Sequence, residues 1–178
     1  MSEIGNGKYA TFVDGTESAD TIDNNNFKVT IRAGAGNDLI RNHGSYFTSG
    51  DDYLFSRRGD DASINAGTGN DSITNQGDKA ILLGDDGNDS IDNRGSSSGD
   101  GVTWYCGRAV TIDGGKGNDY ITNGGINVTI NSGAGKDTLN VMGSTTTVTA
   151  GKGNDIISIG SAGASVEGLT LESDAKTT

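Results

Sequence analysis

Proline is absent from the chain, and cysteine, histidine and tryptophan each occur once. A lone thiol, Cys106, rules out an internal disulfide, and a zinc site built from Cys and His has no ligand set to draw on. Apolar residues make up only 31% of the 178 residues and aromatics 6%, too little for an ordinary globular core. No apolar run approaches the length of a membrane span, so membrane insertion is not expected. Positive charge is scarce as well. Thirteen Lys and Arg stand against 24 Asp and Glu, a net charge of −11, which excludes the basic surface that nucleic acid or anionic lipid requires. Such a balance suits a cation. The opening stretch MSEIGNGKYA has no apolar core of the kind a cleaved secretory signal carries.

What is abundant is glycine, 30 residues of it, and it is not scattered. The phrase GGKGNDYIT (114–122) has near-copies beginning at Ala33, Ala66, Gly84, Ser132 and Ala150. With the aspartate of each phrase as a marker, Asp20, Asp38, Asp71, Asp89, Asp119, Asp137 and Asp155 qualify, and Asp52 in TSGDDYLF is a weaker member. Counted through Asp52, the period is 18 residues, with one unit four residues short and another carrying twelve extra. An aliphatic follows each aspartate by two positions: Ile22, Ile40, Leu54, Ile73, Ile91, Ile121, Leu139 and Ile157. Four positions after it comes Asn24, Asn42, Asn75, Asn93 or Asn123, replaced by Val141 and Ile159 in the last two units. A second β-branched stretch then appears, as in KVTIRA, AVTIDG and NVTINS.

Alternation within these stretches puts Val29 and Ile31, Val110 and Ile112, and Val128 and Ile130 on one face. Each unit reads as strand, Asn-Gly turn, strand, Gly-rich turn. The expected fold is all-β: a parallel β-solenoid of about eight two-stranded rungs, forming a rod roughly 38 Å long at about 4.8 Å per rung. The asparagines share parity with the aliphatics, so they are expected to point inward as a ladder that satisfies turn backbone.

The repeated phrase fits the nonapeptide G-G-x-G-x-D-x-U-x, in which U is a large aliphatic. Residues 114–122 match every defined position, and four other copies lack only the first glycine. The chain therefore resembles the RTX (hemolysin-type) calcium-binding repeat family over most of residues 15–159. RTX rolls usually carry the nonapeptide on both sides of each turn, whereas here alternate turns are Asn-x-Gly. The resemblance accordingly implies one row of calcium ions, an arrangement similar to the one-sided solenoids of some large bacterial adhesins. It implies Asp20, Asp38, Asp52, Asp71, Asp89, Asp119, Asp137 and Asp155 as acidic ligands. The loop glycines Gly34, Gly36, Gly67, Gly69, Gly87, Gly115, Gly117, Gly133, Gly135, Gly151 and Gly153 belong to the same sites.

Elementary physics agrees. Carboxylates stacked about 4.8 Å apart repel by about 1 kcal/mol in water and by more at a partly buried site. Hard oxygen ligands from two stacked loops suit Ca²⁺, with its six to eight oxygen ligands. The competing reading is a set of ordinary Gly-Asn-Asp turns with solvated acids. It fits best at the irregular loops, DGTESADTI (14–22) and FTSGDDYLF (47–55), and where Lys136 replaces the usual asparagine.

The twelve extra residues fall at 94–107 and hold Trp104, Tyr105 and Cys106, either as a contact loop or as a flap shielding a rung. Residues 1–13 are expected to cap one end, 14–159 to form the solenoid and 160–178 to form a C-terminal cap or tail. His43 has no Cys or Ser constellation near it in sequence, and no residues remain for a catalytic domain, so no enzymatic activity is expected. The functional expectation is a calcium-folded, secreted structural or adhesive module facing a cell surface or glycan. Export without an N-terminal signal, by type I secretion, is what the resemblance implies. One alternative is the non-catalytic accessory domain of a secreted RTX enzyme or toxin. Another is an ice-binding face, but Lys116 and Lys152 break the row formed with Ala35, Thr68, Asp86 and Ala134. A second row, Thr30, Thr111, Thr129 and Thr147, is interrupted by Ser63 and Ile81.

Overall fold

Each unit yields two short strands because its apolar stretches are β-branched and alternate, while Gly and Asn interrupt them. The computed structural model describes residues 2–5, 11–43, 59–95, 97–99, 102–104, 107–160, 166–170 and 176–177, and among these there is no helix. The strands are β1 (Ser2–Gly5), β2 (Phe12–Thr16), β3 (Asp20–Asn24), β4 (Thr30–Ala35), β5 (Leu39–Asn42), β6 (Ser63–Thr68) and β7 (Ser72–Asn75). Next come β8 (Ile81–Asp86), β9 (Ser90–Asn93), β10 (Ser97–Gly99), β11 (Val102–Trp104), β12 (Thr111–Asp113), β13 (Tyr120–Asn123) and β14 (Thr129–Asn131). Last are β15 (Ala134–Gly135), β16 (Thr138–Val141), β17 (Thr146–Thr149), β18 (Lys152–Gly153), β19 (Ile156–Ile159), β20 (Val166–Thr170) and β21 (Lys176–Thr177).

One nine-stranded sheet runs β1-β3-β5-β7-β9-β13-β16-β19-β21, and an eight-stranded sheet runs β2-β4-β6-β8-β12-β14-β17-β20. All pairings in both are parallel, as a chain winding in one sense requires. The expected parallel β-solenoid is therefore the fold. Ile22, Ile40, Ile73, Ile91, Ile121, Leu139 and Ile157 stack in one inward column. Val13, Ile31, Ile64, Leu82, Ile112, Ile130 and Val148 stack in another. Both columns are buried in one apolar cluster. A typical rung turns six residues inward: Asp20, Ile22 and Asn24 from one sheet, then Val29, Ile31 and Ala33 from the other. The core is one aliphatic layer thick, with a polar column at each edge.

The asparagine edge forms the expected ladder. Asn24 Nδ2 donates to Asn42 Oδ1 (2.6 Å), Asn42 to Asn75 (2.6 Å), Asn75 to Asn93 (2.8 Å) and Asn93 to Asn123 (2.8 Å). Val141 cannot accept the next bond. Buried Thr146 does so instead, its Oγ1 3.1 Å from Asn123 Nδ2. Each amide also donates within its own turn, Asn75 to the Gly77 carbonyl at 2.9 Å, for example.

Those turn bonds locate the irregularities. Asn75 reaches two residues ahead, but Asn42 reaches seventeen, to Gly59, and Asn93 reaches fourteen, to Gly107. Insertions of 15 and 12 residues therefore enter the same turn position, two rungs apart. The first corrects the unit count. Strand β5 bonds directly to β7, so no strand of this sheet lies between them, and with rungs taken as β3 with β4 the eighth two-stranded rung is β1 with β2. Asp52 lies outside the described residues.

The second insertion contains an antiparallel hairpin of β10 and β11, with Ser97 opposite Trp104. Because Gly95 and Gly107 bracket it, deleting 95–106 or 96–107 yields one and the same sequence, with a plain Asn-Arg-Gly turn. This deletion is expected to keep the strand signal in circular dichroism and to move the melting temperature by no more than about 3 °C. Collapse of folding would show instead that Trp104 and Tyr105 are needed by the core.

Where the Asn turn gives way to the second strand, the backbone is left-handed in six successive rungs, and never at glycine. Lys28, Asp61, Lys79, Ala109, Asn127 and Thr145 have φ between 54° and 59°. The strain is offset by stacking, since the N–H of Lys28, Asp61, Lys79, Ala109 and Asn127 each bonds a carbonyl of the next rung.

A carboxylate column along the glycine-loop edge

The aspartate opens β3 and stands just before β5, β7, β9, β13, β16 and β19, and it points into the core because Asp, the aliphatic and the residue two after it fall at alternate positions. Asp20, Asp38, Asp71, Asp89, Asp119, Asp137 and Asp155 are all at most 2% exposed. They are interior carboxylates and not solvated turn residues. Each rung's N–H holds the next rung's side chain: Asp20 N donates to Asp38 Oδ1 (2.7 Å), Asp38 N to Asp71 (2.7 Å) and Asp71 N to Asp89 (2.8 Å). The series continues through Asp119 (2.8 Å), Asp137 (2.9 Å) and Asp155 (2.9 Å).

Only one oxygen of each is used this way. Oδ2 of Asp38, Asp71, Asp89, Asp119, Asp137 and Asp155 is buried without a hydrogen-bond partner. A buried, unpaired carboxylate oxygen is costly, and six in line call for a cation. The Asp20 loop differs. Its Oδ2 accepts from Thr16 N (2.6 Å) and Thr16 Oγ1 (2.9 Å), so the oxygen bonded there is Oδ2 instead of Oδ1.

The loop backbone completes the setting. Glycines at the second position, Gly34, Gly67, Gly115, Gly133 and Gly151, have positive φ, as do Gly36, Gly69, Gly117, Gly135 and Gly153 at the fourth. Asp85 takes the second position in its loop and stays left-handed, φ 71°. Gly87 holds the fourth position of that loop, and a side chain on it would strike the Gly69 carbonyl oxygen. At Gly69 a β-carbon would collide with the Gly36 carbonyl oxygen, so the stacked turns admit none. Among the described residues no three His, Cys, Asp or Glu side chains converge on a point. A metal held here must take backbone carbonyls together with the carboxylates of stacked rungs, which is the oxygen chemistry of a hard cation such as Ca²⁺.

An outer ladder went unread in the sequence. Asn70, Asn88 and Asn118 N–H groups donate to the Oδ1 of Asn37, Asn70 and Asn88, and Lys136 N donates to Asn118 Oδ1 (2.7 Å). The asparagine before each aspartate thus stitches the loops together from outside. His43 is unremarkable: Nε2 sits 3.3 Å from Asp23 Oδ1 on the opposite edge.

Matches to known proteins agree with this geometry. The RTX calcium-binding nonapeptide repeat family matches the chain in four copies, over residues 14–42 and 109–125. Over these two segments the chain matches the RTX calcium-binding nonapeptide repeat. No match was found among curated proteins or among solved structures. RTX repeats form a non-catalytic calcium-binding module, and proteins that carry them are typically secreted. The buried carboxylates and open glycine loops of this solenoid fit the ion its RTX repeats imply.

The column also sets a pH dependence. Burial, against the bond from Asp71 N and with help from neighbouring charges, pushes Asp89 up to about 7. Burial likewise pushes Asp119 up to about 6, and Asp38, Asp71 and Asp137 are raised for the same leading reason. A folded value above the unfolded one, about 3.9, means the native state binds more protons in between. Without calcium, stability is therefore fully present below the unfolded value and lost as pH rises through about 6 to 7. In calcium-depleted buffer the melting temperature should fall from about pH 5.5 to about pH 8. With calcium the trend should reverse, because protons compete with the ion. Identical profiles with and without calcium would contradict this.

Proposed function

We propose that the chain is a secreted structural or adhesive module whose RTX solenoid is completed by a single row of calcium ions. The ions sit between stacked loops, with Asp38, Asp71, Asp89, Asp119, Asp137 and Asp155 as carboxylate ligands and loop carbonyls supplying the remaining oxygens. The observation that carries this reading is the set of six in-phase, buried, unpartnered Oδ2 atoms. Asp20, one oxygen of which accepts from Thr16, stands next to Asp38 at the end of the row and is a further carboxylate ligand in this reading. Calcium here is a folding cofactor and does no chemistry on a substrate.

Contacts with a cell surface or glycan are assigned to the asparagine edge, where both insertions leave and rejoin the rungs. Tyr46, Phe47, Tyr53, Phe55, Trp104 and Tyr105 belong to these segments, against four aromatics in all the rest of the chain. The row Thr30, Ser63, Ile81, Thr111, Thr129, Thr147 is one register column, and Ile81 interrupts it as an exposed side chain, which argues against a regular ice-binding face. The test is calorimetric calcium titration of the wild type and of Asp119→Ala. Each ion bridges two rungs, so the substitution should remove or weaken two sites by about tenfold or more. Unchanged stoichiometry and affinity would refute the assignment.

A further inference from the structure

The glycine-loop edge is not uniform along the rod. At the first nonapeptide position Ala33, Ala66, Ser132 and Ala150 carry a β-carbon, whereas Gly15, Gly84 and Gly114 do not; Gly15 faces an Asp20 Oδ2 already bonded by Thr16, which sets apart Gly84 and Gly114. A β-carbon on Gly114 would lie 2.6 Å from Asp119 Oδ2. One on Gly84 would collide with Asp89 Oδ2 and with the Gly114 carbonyl oxygen. These two glycines leave open the space in front of two buried carboxylate oxygens that have no partner.

The same two rungs gather extra negative charge. Asp85 acts electrostatically on Asp89, and Asp113 on Asp119, whereas the charges that act on Asp38, Asp71 and Asp137 are those of the column members Asp20, Asp38 and Asp155. Each added side chain is fixed by an asparagine of an adjacent rung. Asn65 Nδ2 donates to Asp85 Oδ2 (2.7 Å), and Asn131 Nδ2 to Asp113 Oδ1 (3.2 Å). With Asp86 they line a groove of about 580 Å³ that reaches Gly115 and Gly133. Lys116 pairs with Asp86 at 2.8 Å and Lys152 also lines the groove, so its three aspartates outnumber its lysines by one.

Resting on the calcium reading above, we propose that the row fills from the middle: the first ion enters between the Asp89 and Asp119 rungs, drawn by Asp85 and Asp113 and admitted by Gly84 and Gly114. This step spans thirty residues of chain because of the second insertion. An ion here ties together the rungs on either side of it.

The test is a calcium titration of the full chain followed residue by residue in amide NMR. Gly87, Asp89, Gly117 and Asp119 should reach half-change at a calcium concentration at least about fivefold below that for Gly36, Asp38, Gly153 and Asp155. Asp85→Asn combined with Asp113→Asn should erase that gap while leaving the outer loops within about twofold of wild type. Gly114→Ala, which installs a side chain found at three equivalent positions, should narrow the gap independently. Simultaneous saturation of all loops, or a gap that survives the double substitution, would overturn the order of filling and leave the calcium sites standing. No response in any loop would overturn both.

Discussion

Removing calcium is expected to lower the melting temperature by about 20 °C or more and to reduce the strand signal. Six buried oxygens without hydrogen-bond partners face one edge of a core only one aliphatic layer thick. Ligand that binds the native state alone stabilises it by about 2.7 kcal/mol per site at a hundredfold excess over Kd. Five steps separate the six carboxylates from Asp38 to Asp155, and several occupied sites together exceed the usual margin of a domain this size. One kcal/mol moves the midpoint of such a domain by about 2–4 °C. Thermal melts in calcium and in chelator measure the difference. Equal midpoints would mean that hydrogen bonds and the asparagine ladder hold the rod by themselves.

The second large effect is expected at the opposite edge. Asn75 takes part in four bonds: it accepts from Asn42 and from Gly77 N, and donates to Asn93 and to the Gly77 carbonyl. Truncation to alanine leaves buried donors and acceptors in three rungs without partners. Asn75→Ala should cost about 3–5 kcal/mol, with calcium present or absent, read from urea unfolding. A cost of about 1 kcal/mol or less would show that the ladder contributes little to the fold.

Much of this was legible in the sequence because one rule governs it. In a strand of period two, Asp, Ile and Asn at alternate positions share a face, so the aliphatics that must be inside carry both polar columns inside with them. What escaped was set by tertiary pairing. SGDDYLF has the local grammar of a rung, yet β5 and β7 bond directly to each other, and nothing local in the sequence announces that. The glycines on either side of each insertion do mark its ends, since removing the intervening residues restores a plain Asn-x-Gly turn. The left-handed position escaped for a different reason. Lys28, Ala109 and Thr145 share no composition, only a neighbour to which the strained turn must conform. The end of the asparagine ladder at Val141 was visible in the sequence. Its repair by Thr146 was not, because the two residues meet only across the turn.

A crystal grown with calcium and recorded for anomalous scattering tests the calcium row most directly. A line of peaks about 4.8 Å apart is expected, each about 2.3–2.6 Å from an aspartate Oδ2 between Asp38 and Asp155. A glycine-loop edge with no anomalous peaks, its Oδ2 atoms bonded to water or protonated, would contradict it.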